Sequence, residues 1–309
     1  MKKKEVLLVP EVDAYVSRQR LSRLALGTVQ FGLSYGIANQ VGQVTRPEAK
    51  AMLQLAALNS VNMLDTAIAY GESEKCLGEI GTQGFKLVTK LPVLPDGCSD
   101  VSGWVQQQVA ASLTRLGVAR VYGLLLHQSD QLLGPNGNKL YQTLQELKDK
   151  GQCQKVGVSI YNPIELEKIC KVFRLDLVQA PFNLVDRRLH QTGWLQRLKD
   201  DGVEIHTRSV FLQGLLLMPQ ASMPHKFSQW NALWKRWHNW LFDHDVSAVE
   251  ACLAFPLAYP EIDRVIVGSD SLSQLAQIIG AAKFVPHVDL PDLHCEEENL
   301  INPARWSKI

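Results

Sequence analysis

Asp65, Tyr70, Lys90 and His127 have types and spacing that suit proton management at a carbonyl. Asp65, Lys90 and His127 close three consecutive short apolar segments, VNMLDT (61–66), KLVTK (86–90) and VYGLLLH (121–127), and Tyr70 follows Asp65 by five residues. Alternation through Val61, Met63 and Asp65 puts the carboxylate on one strand face at the strand's exit. A free phenol ionises near pH 10, too high to give up its proton readily at neutral pH. The Lys90 ammonium beside it would lower that value, and Asp65 would keep the ammonium charged and oriented. His127 could donate a hydrogen bond to an oxygen that is gaining negative charge. Together they make a polarised acid awaiting a hydride source, with Tyr70 as the acid and His127 as the carbonyl's partner. Taken singly, each is more often a structural ion pair or a satisfied polar group. Four at neighbouring strand ends argue for a site.

Elements of two kinds must position them. Apolar segments such as LALGT (24–28), KVGVS (155–159), LDLVQA (175–180), VEIHTRS (203–209) and RVIVGS (264–269) mostly lack alternation, which is how strands buried on both faces read. Helix signals lie between them. Thr45 with Pro47 and Glu48 forms a capping box, Ser99 or Asp100 precedes a stretch stopped by Gly117, and Asn138 to Lys150 ends at Gly151. Asn162-Pro163 opens 163–173, Asp186 can cap 187–200, and Ser247 and Ser271 can start the last two helices. Eight strands alternating with eight helices predict an α/β fold, a (β/α)8 TIM barrel forming a single domain over 1–309. An open doubly wound sheet is the alternative, but LGTVQFG is not a G-x-G-x-x-G fingerprint. Strands seven and eight end near 208 and 268, roughly twice the spacing of a simple βα unit. The excess, 218–246, is a helical insertion that should overhang the active face. Its Trp230, Trp234, Trp237 and Trp240 form a stripe that packs the insertion down or makes an aromatic wall for substrate. Residues 1–23 form an N-terminal extension suited to covering the barrel's bottom, and 285–309 an irregular C-terminal tail.

Composition excludes several functions. The 309 residues are 46% hydrophobic and 20% charged, with a net charge of +1. That balance offers no basic field for nucleic acid and no polybasic membrane anchor. Six scattered cysteines without a CxxC pair read as free thiols of a reducing compartment, and no metal site is expected. The start, MKKKEVLLVPEVDAY, has too short an apolar core for a signal peptide, and no run is long enough to span a membrane. A cytoplasmic protein is expected; oligomeric state is not legible.

The motifs LDTAIAYGESEKCLG, VTKLP, LLLH, VGVSIYNP, VQAPFNL and RSVFLQGLL, in that order, resemble those of the aldo-keto reductase superfamily from about residue 26 to 277. The resemblance implies a (β/α)8 barrel with Asp65, Tyr70, Lys90 and His127 as the catalytic tetrad. It also implies an NAD(P)H-dependent oxidoreductase acting on a small-molecule aldehyde or ketone, sugar-like ones included. Cofactor positions carried over are Gly27, Thr28 and Asp65 in the first loops, and Ser159 and Gln179 toward the nicotinamide carboxamide. Arg208 stands where an aromatic ring is frequent, and Ser209, Leu212 and Gly214 match the loop around the pyrophosphate. Gly268, Ser269 and Gln274, in VGSDSLSQL (267–275), match the loop at the adenosine 2′-phosphate. NADP(H) is the default by resemblance, and NAD(H) stays open because Lys or Arg is missing there and Asp270 intervenes. The departures at Ile160, Arg208, Gly268 and Gln274 leave a second reading, a nicotinamide-binding sensor or partner-docking module with little turnover. A third is a sugar isomerase or dehydratase with retained cofactor.

Overall fold

Parallel strands buried on both faces need an apolar residue at almost every position, and the pairing pattern shows where each face goes. In a computed structural model that describes residues 18–308, the strands are β1 (Leu24–Gly27), β2 (Met63–Asp65), β3 (Lys86–Leu91), β4 (Val121–Leu126), β5 (Cys153–Ser159), β6 (Leu177–Pro181), β7 (Glu204–Arg208) and β8 (Arg264–Gly268). Each pairs in parallel with the next, and β8 returns to β1 through Leu24–Val265 to Gly27–Gly268. This is the expected closed (β/α)8 barrel.

Two cores explain the lost alternation. Leu24, Leu26, Leu64, Leu124, Val158, Val178, Ile205 and Val267 point outward into the layer between strands and helices. Ala25, Met63, Val88, Leu125, Leu177 and Ile266 fill the barrel's interior. Because side chains alternate with period two, the residue two beyond each interior one faces the barrel's mouth. Those residues are Gly27, Asp65, Lys90, His127, Gln179 and Gly268. The strand register alone therefore gathers six of the candidate residues at one end.

Helix starts follow local chemistry. Helix α1 (Arg46–Leu58) is capped by Thr45, whose side chain accepts from the Glu48 N–H. Glu48 does not complete the predicted capping box, since its carboxylate reaches instead to the Leu272 N–H, 2.6 Å away. Helix α2 is Ser73–Ile80, and α3 (Val101–Leu116) runs from an Asp100 cap to Gly117, which is left-handed at φ 66°. The stretch expected over 187–200 is two helices, Arg188–Gln191 and Trp194–Asp200, divided at Gly193 with φ 76°. The one expected over 163–173 shrinks to a 3-10 turn and a short helix, Leu166–Ile169. Ser247 and Ser271 cap Ala248–Leu257 and Leu272–Ala281, the latter labelled α4 below.

The inserted segment carries a helix, Asn231–His244. Trp230, Trp234 and Trp237 are buried, and the indoles of Trp234 and Trp237 donate to the Phe227 and Leu216 carbonyls. The tryptophan stripe is thus packing and not an aromatic wall. The C-terminal tail joins it, with Trp306 edge-on to Phe227, and contains a short helix, Glu298–Ile301. Of the N-terminal extension, residues 1–17 lie outside the described residues. Arg20 and Arg23 donate to carbonyls of Ala282, Phe284, Leu257, Tyr259 and Ile262 beside the start of β1. No helix among the described residues is long and apolar enough to cross a membrane.

The end of the barrel away from the mouth is closed by charge. Glu204, at the start of β7, accepts from Tyr122 and Lys155 and has His206 Nε2 2.6 Å from its second oxygen. These donors hold its carboxyl far below the usual range despite burial. Removing Glu204 leaves the buried His206 and the half-buried Lys155 and Tyr122 without their common partner. Glu204→Ala should lower unfolding free energy in urea by about 3–5 kcal/mol; a loss under about 1 kcal/mol would contradict the network's role.

Candidate active site

The mouth is organised by one carboxylate. Asp65 is 5% exposed and Lys90 1%. Lys90 Nζ donates to Asp65 Oδ2 at 2.7 Å and to the Thr66 carbonyl at 2.9 Å. Gln179 Nε2 donates to Asp65 Oδ1 at 2.7 Å. Both carboxylate oxygens are thus engaged by partners from β3 and β6.

Tyr70 sits on the turn between β2 and α2. A buried hydroxyl cluster fixes this turn: Ser73 Oγ donates to the Thr28 carbonyl at 2.8 Å and lies 3.0 Å from Thr66 Oγ1, while Thr28 Oγ1 donates to the Asp65 carbonyl. Gly32 allows the approach, since a Cβ there would stand 1.8 Å from the Tyr70 carbonyl oxygen. Fully buried Glu74 locks α2 from behind, accepting from Thr89, Ser112 and Arg115. It is a packing anchor as well as an acidic residue in a helix's first turn. The result places the Tyr70 ring 5.1 Å from Lys90 Nζ and edge-on to His127, with ring centroids 5.6 Å apart.

Electrostatics departs from the expectation at Tyr70. Burial, then the Asp65 charge, push its phenol above the ordinary range, and the cation that pulls it down is Arg208. Lys90 does not tune it as predicted: its ammonium is committed to Asp65 and Thr66 and lies near the ring. Tyr70 is therefore a protonated phenol at neutral pH. Burial also lowers Lys90, opposed by Asp65. His127 falls to about 4 through burial and the Lys90 charge, so its imidazole is neutral.

Above these groups opens a cavity of about 670 Å3, within the usual range for small-molecule sites. It is lined by Tyr70, His127 and Asp65 at the mouth and continues past the ends of β1 and β8 to Gln277 and Ile278 on α4. Gly27, Thr28, Ser159, Gln179, Arg208, Ser209, Gly214, Gly268, Ser269 and Gln274 all line it. Leu212 does not; it is fully buried, and only its backbone serves the turn. Lys90 lies behind Asp65. The insertion contributes Met218, Pro219 and Ser222, so its beginning does overhang the site.

Arg208 donates to the Ile160 carbonyl at 2.9 Å and lies 4.6 Å from the Tyr161 ring centroid. The Ile160 side chain points into the core. After Arg208 the chain turns sharply, with Ser209, Leu212 and Gln213 at φ 63°, 47° and 53°. Non-glycine residues in the left-handed region cost of order 1 kcal/mol or more each and cluster at functional loops. This loop meets segment 35–39 over the cavity: Gln213 Nε2 donates to the Tyr35 hydroxyl at 3.0 Å, and Gly214 leaves no room for a Cβ beside Ala38. Sequence reasoning missed Gln30, Tyr35 and Asn39, which sit in an irregular segment with no periodicity. It also missed the reach of Glu48.

The neutral His127 carries a pH signature. A folded-state value near 4 lies below the ordinary 6.5, so its stabilising contribution is present above pH 6.5 and is lost as pH falls toward 4. His127→Asn should flatten that part of the stability profile in urea unfolding at pH 4.5, 5.5 and 7; an unchanged slope would place the titration elsewhere.

Comparison with known proteins agrees with the geometry. Residues 23–289 match the model of the Aldo/keto reductase family. A Bacillus subtilis (strain 168) protein named uncharacterized oxidoreductase YqkF is 26% identical over 280 residues, 83% of this chain and 90% of its own. L-galactose dehydrogenase of Arabidopsis thaliana is 25% identical over 299 residues, 90% of this chain and 89% of its own. The holo form of aldo-keto reductase AKR11C1 from Bacillus halodurans superposes with a TM-score of 0.69 at 20% identity, covering 86% of this chain and 88% of that one. The chain is a member of the aldo/keto reductase family, an oxidoreductase on a closed (β/α)8 barrel.

Proposed function

We propose that the chain is an NAD(P)H-dependent reductase that converts aldehyde or ketone carbonyls to alcohols. The observation that carries this reading is the buried Asp65–Lys90 pair beside a protonated Tyr70 and a neutral His127 in one cavity. A nicotinamide dinucleotide, when bound, supplies the hydride.

The residues present suit such a group. Gln30 lines the cavity, and its buried Oε1 has no hydrogen-bond partner. Gly268 leaves space that a side chain would fill, since a Cβ there would come within 2.7 Å of Gln30 Nε2. By family resemblance Ser159 and Gln179 would hold the carboxamide, the turn at Ser209 and Gly214 the pyrophosphate, and Ser269 and Gln274 the adenosine end. Gln179 already gives one amide hydrogen to Asp65, which fixes its side chain and leaves its carbonyl free to accept.

The chain's own chemistry is proton transfer and orientation. His127, neutral, can donate one ring N–H to the substrate carbonyl and hold it beside the phenol. As the carbonyl carbon becomes tetrahedral, its oxygen takes the Tyr70 proton. The remaining phenolate faces the field of Arg208 until it regains a proton from solvent. Asp65 keeps Lys90 in place and does not exchange protons itself. A binding-only module has no chemical need for a lysine fully buried against a carboxylate, an arrangement that costs desolvation. Free thiols at all six cysteines fit a reducing compartment, and a cytoplasmic location is part of the proposal.

The test is NADH and NADPH oxidation with a panel of aldehydes, ketones and sugars, followed by product mass. Sugar-like carbonyls head the panel because one relative is named for a sugar. Tyr70→Phe should lower kcat by about 100-fold or more while dinucleotide affinity changes little. Full activity in that variant would overturn Tyr70 as the acid. A product isomeric with its substrate would overturn reduction.

A further inference from the structure

Where the cavity leaves the barrel mouth it crosses the loop after β8 and reaches the first turns of α4, past Asp270, Gln274 and Gln277. A helix start normally offers free N–H groups and a positive dipole end to a phosphate. Here two of those donors, and the amide just before the helix start, are engaged from within the chain. The Asp270 N–H goes to Gln274 Oε1 at 2.9 Å, the Leu272 N–H to Glu48 Oε1 at 2.6 Å, and the Gln274 N–H to Ser271 Oγ at 3.2 Å. The Glu48 carboxylate, brought by α1, thus already sets a negative charge against the helix start. Asp270 adds a second carboxylate on the cavity wall, steadied by Asn39 Nδ2 at 3.2 Å.

The charge balance of the wall is equally one-sided. Among the described residues that line the cavity, Arg208 is the only lysine or arginine, and it stands at the end of β7 within the field of Tyr70. Beside Asp270, to whose carboxylate its side chain gives a hydrogen bond, Gln30 is 8% exposed and its Oε1 is a buried acceptor with no partner. Two acceptors without a cation suit a group that brings hydroxyl donors, such as a ribose diol. They oppose a phosphate monoester, which carries about −1.5 to −2 charge at neutral pH.

We infer that this end of the cavity accepts an adenosine ribose with a free 2′-hydroxyl and rejects one with a 2′-phosphate, so that the chain selects NAD(H) over NADP(H). Asp270 and Gln30 are the acceptors for the diol, an arrangement chemically equivalent to the acidic residue that reads the 2′-hydroxyl in other dinucleotide folds. Glu48 is a positioning residue that fills the helix start. The inference rests on the proposed function, which is what brings a dinucleotide into the cavity.

Equilibrium titration of the intact protein with NADH and with NADPH, followed by nicotinamide fluorescence, tests it. NADH should bind at least about tenfold more tightly at low ionic strength, and the gap should shrink as salt screens the carboxylates. Asp270→Asn should narrow the gap by tightening NADPH. Adenosine 5′-monophosphate and adenosine 2′,5′-bisphosphate, competed against NADH on the unaltered protein, should show the same order without any substitution. A ratio below tenfold, a preference for NADPH, or an Asp270→Asn variant with an unchanged ratio overturns the inference while leaving the reductase reading intact. Binding of neither dinucleotide overturns both.

Discussion

The buried ion pair between Asp65 and Lys90 is the constraint on which the rest of the site depends. A lysine 1% exposed at the heart of a barrel must keep its charge compensated or give it up. Asp65 compensates it at 2.7 Å, the Thr66 carbonyl takes a second donor, and Gln179 occupies the other carboxylate oxygen. The pair links β2, β3 and β6 across the mouth. Tyr70 lies against its cation, on the turn that the Ser73–Thr28–Thr66 hydroxyl cluster fixes, and His127 lies against Tyr70. Buried pairs of this kind rarely add stability over apolar packing, which makes function the better explanation for keeping one.

The barrel's layering explains why so much of this was legible beforehand. Ala25, Met63, Val88, Leu125, Leu177 and Ile266 form the interior core, and stepping two residues onward reaches Gly27, Asp65, Lys90, His127, Gln179 and Gly268. Strand exits visible as sudden polar residues after apolar runs were therefore already a map of the mouth. The same rule puts Glu204, His206 and Arg208 on one face of β7, the first closing the far end and the last reaching the cavity. One strand thus closes the barrel at one end and lines the cavity at the other, a division typical of such barrels.

What escaped the sequence depends on directions and distances in three dimensions. Lys90 was expected to tune the phenol, yet burial and Asp65 dominate at Tyr70, and Arg208 supplies the opposing field. Residue types name the participants but not which charge faces the hydroxyl. Glu48 looked like half of a capping box, and its side chain crosses instead to the next helix over the β1–β8 seam. The tryptophan stripe has helical spacing whether it faces core or ligand, and only the buried indoles with carbonyl partners decide for core. Gln30 and Asn39 belong to a segment without periodicity, where spacing carries no information about facing.

A double-mutant cycle on Asp65→Asn and Lys90→Met, followed by urea unfolding, tests the central claim most directly. Each single change leaves a buried charge or its donors uncompensated and should cost about 3–5 kcal/mol. The double variant should cost little more than either alone, a coupling of roughly 2 kcal/mol or more. Losses that add to within about 0.5 kcal/mol would show that the two groups act independently, and would contradict a mouth built on their pairing.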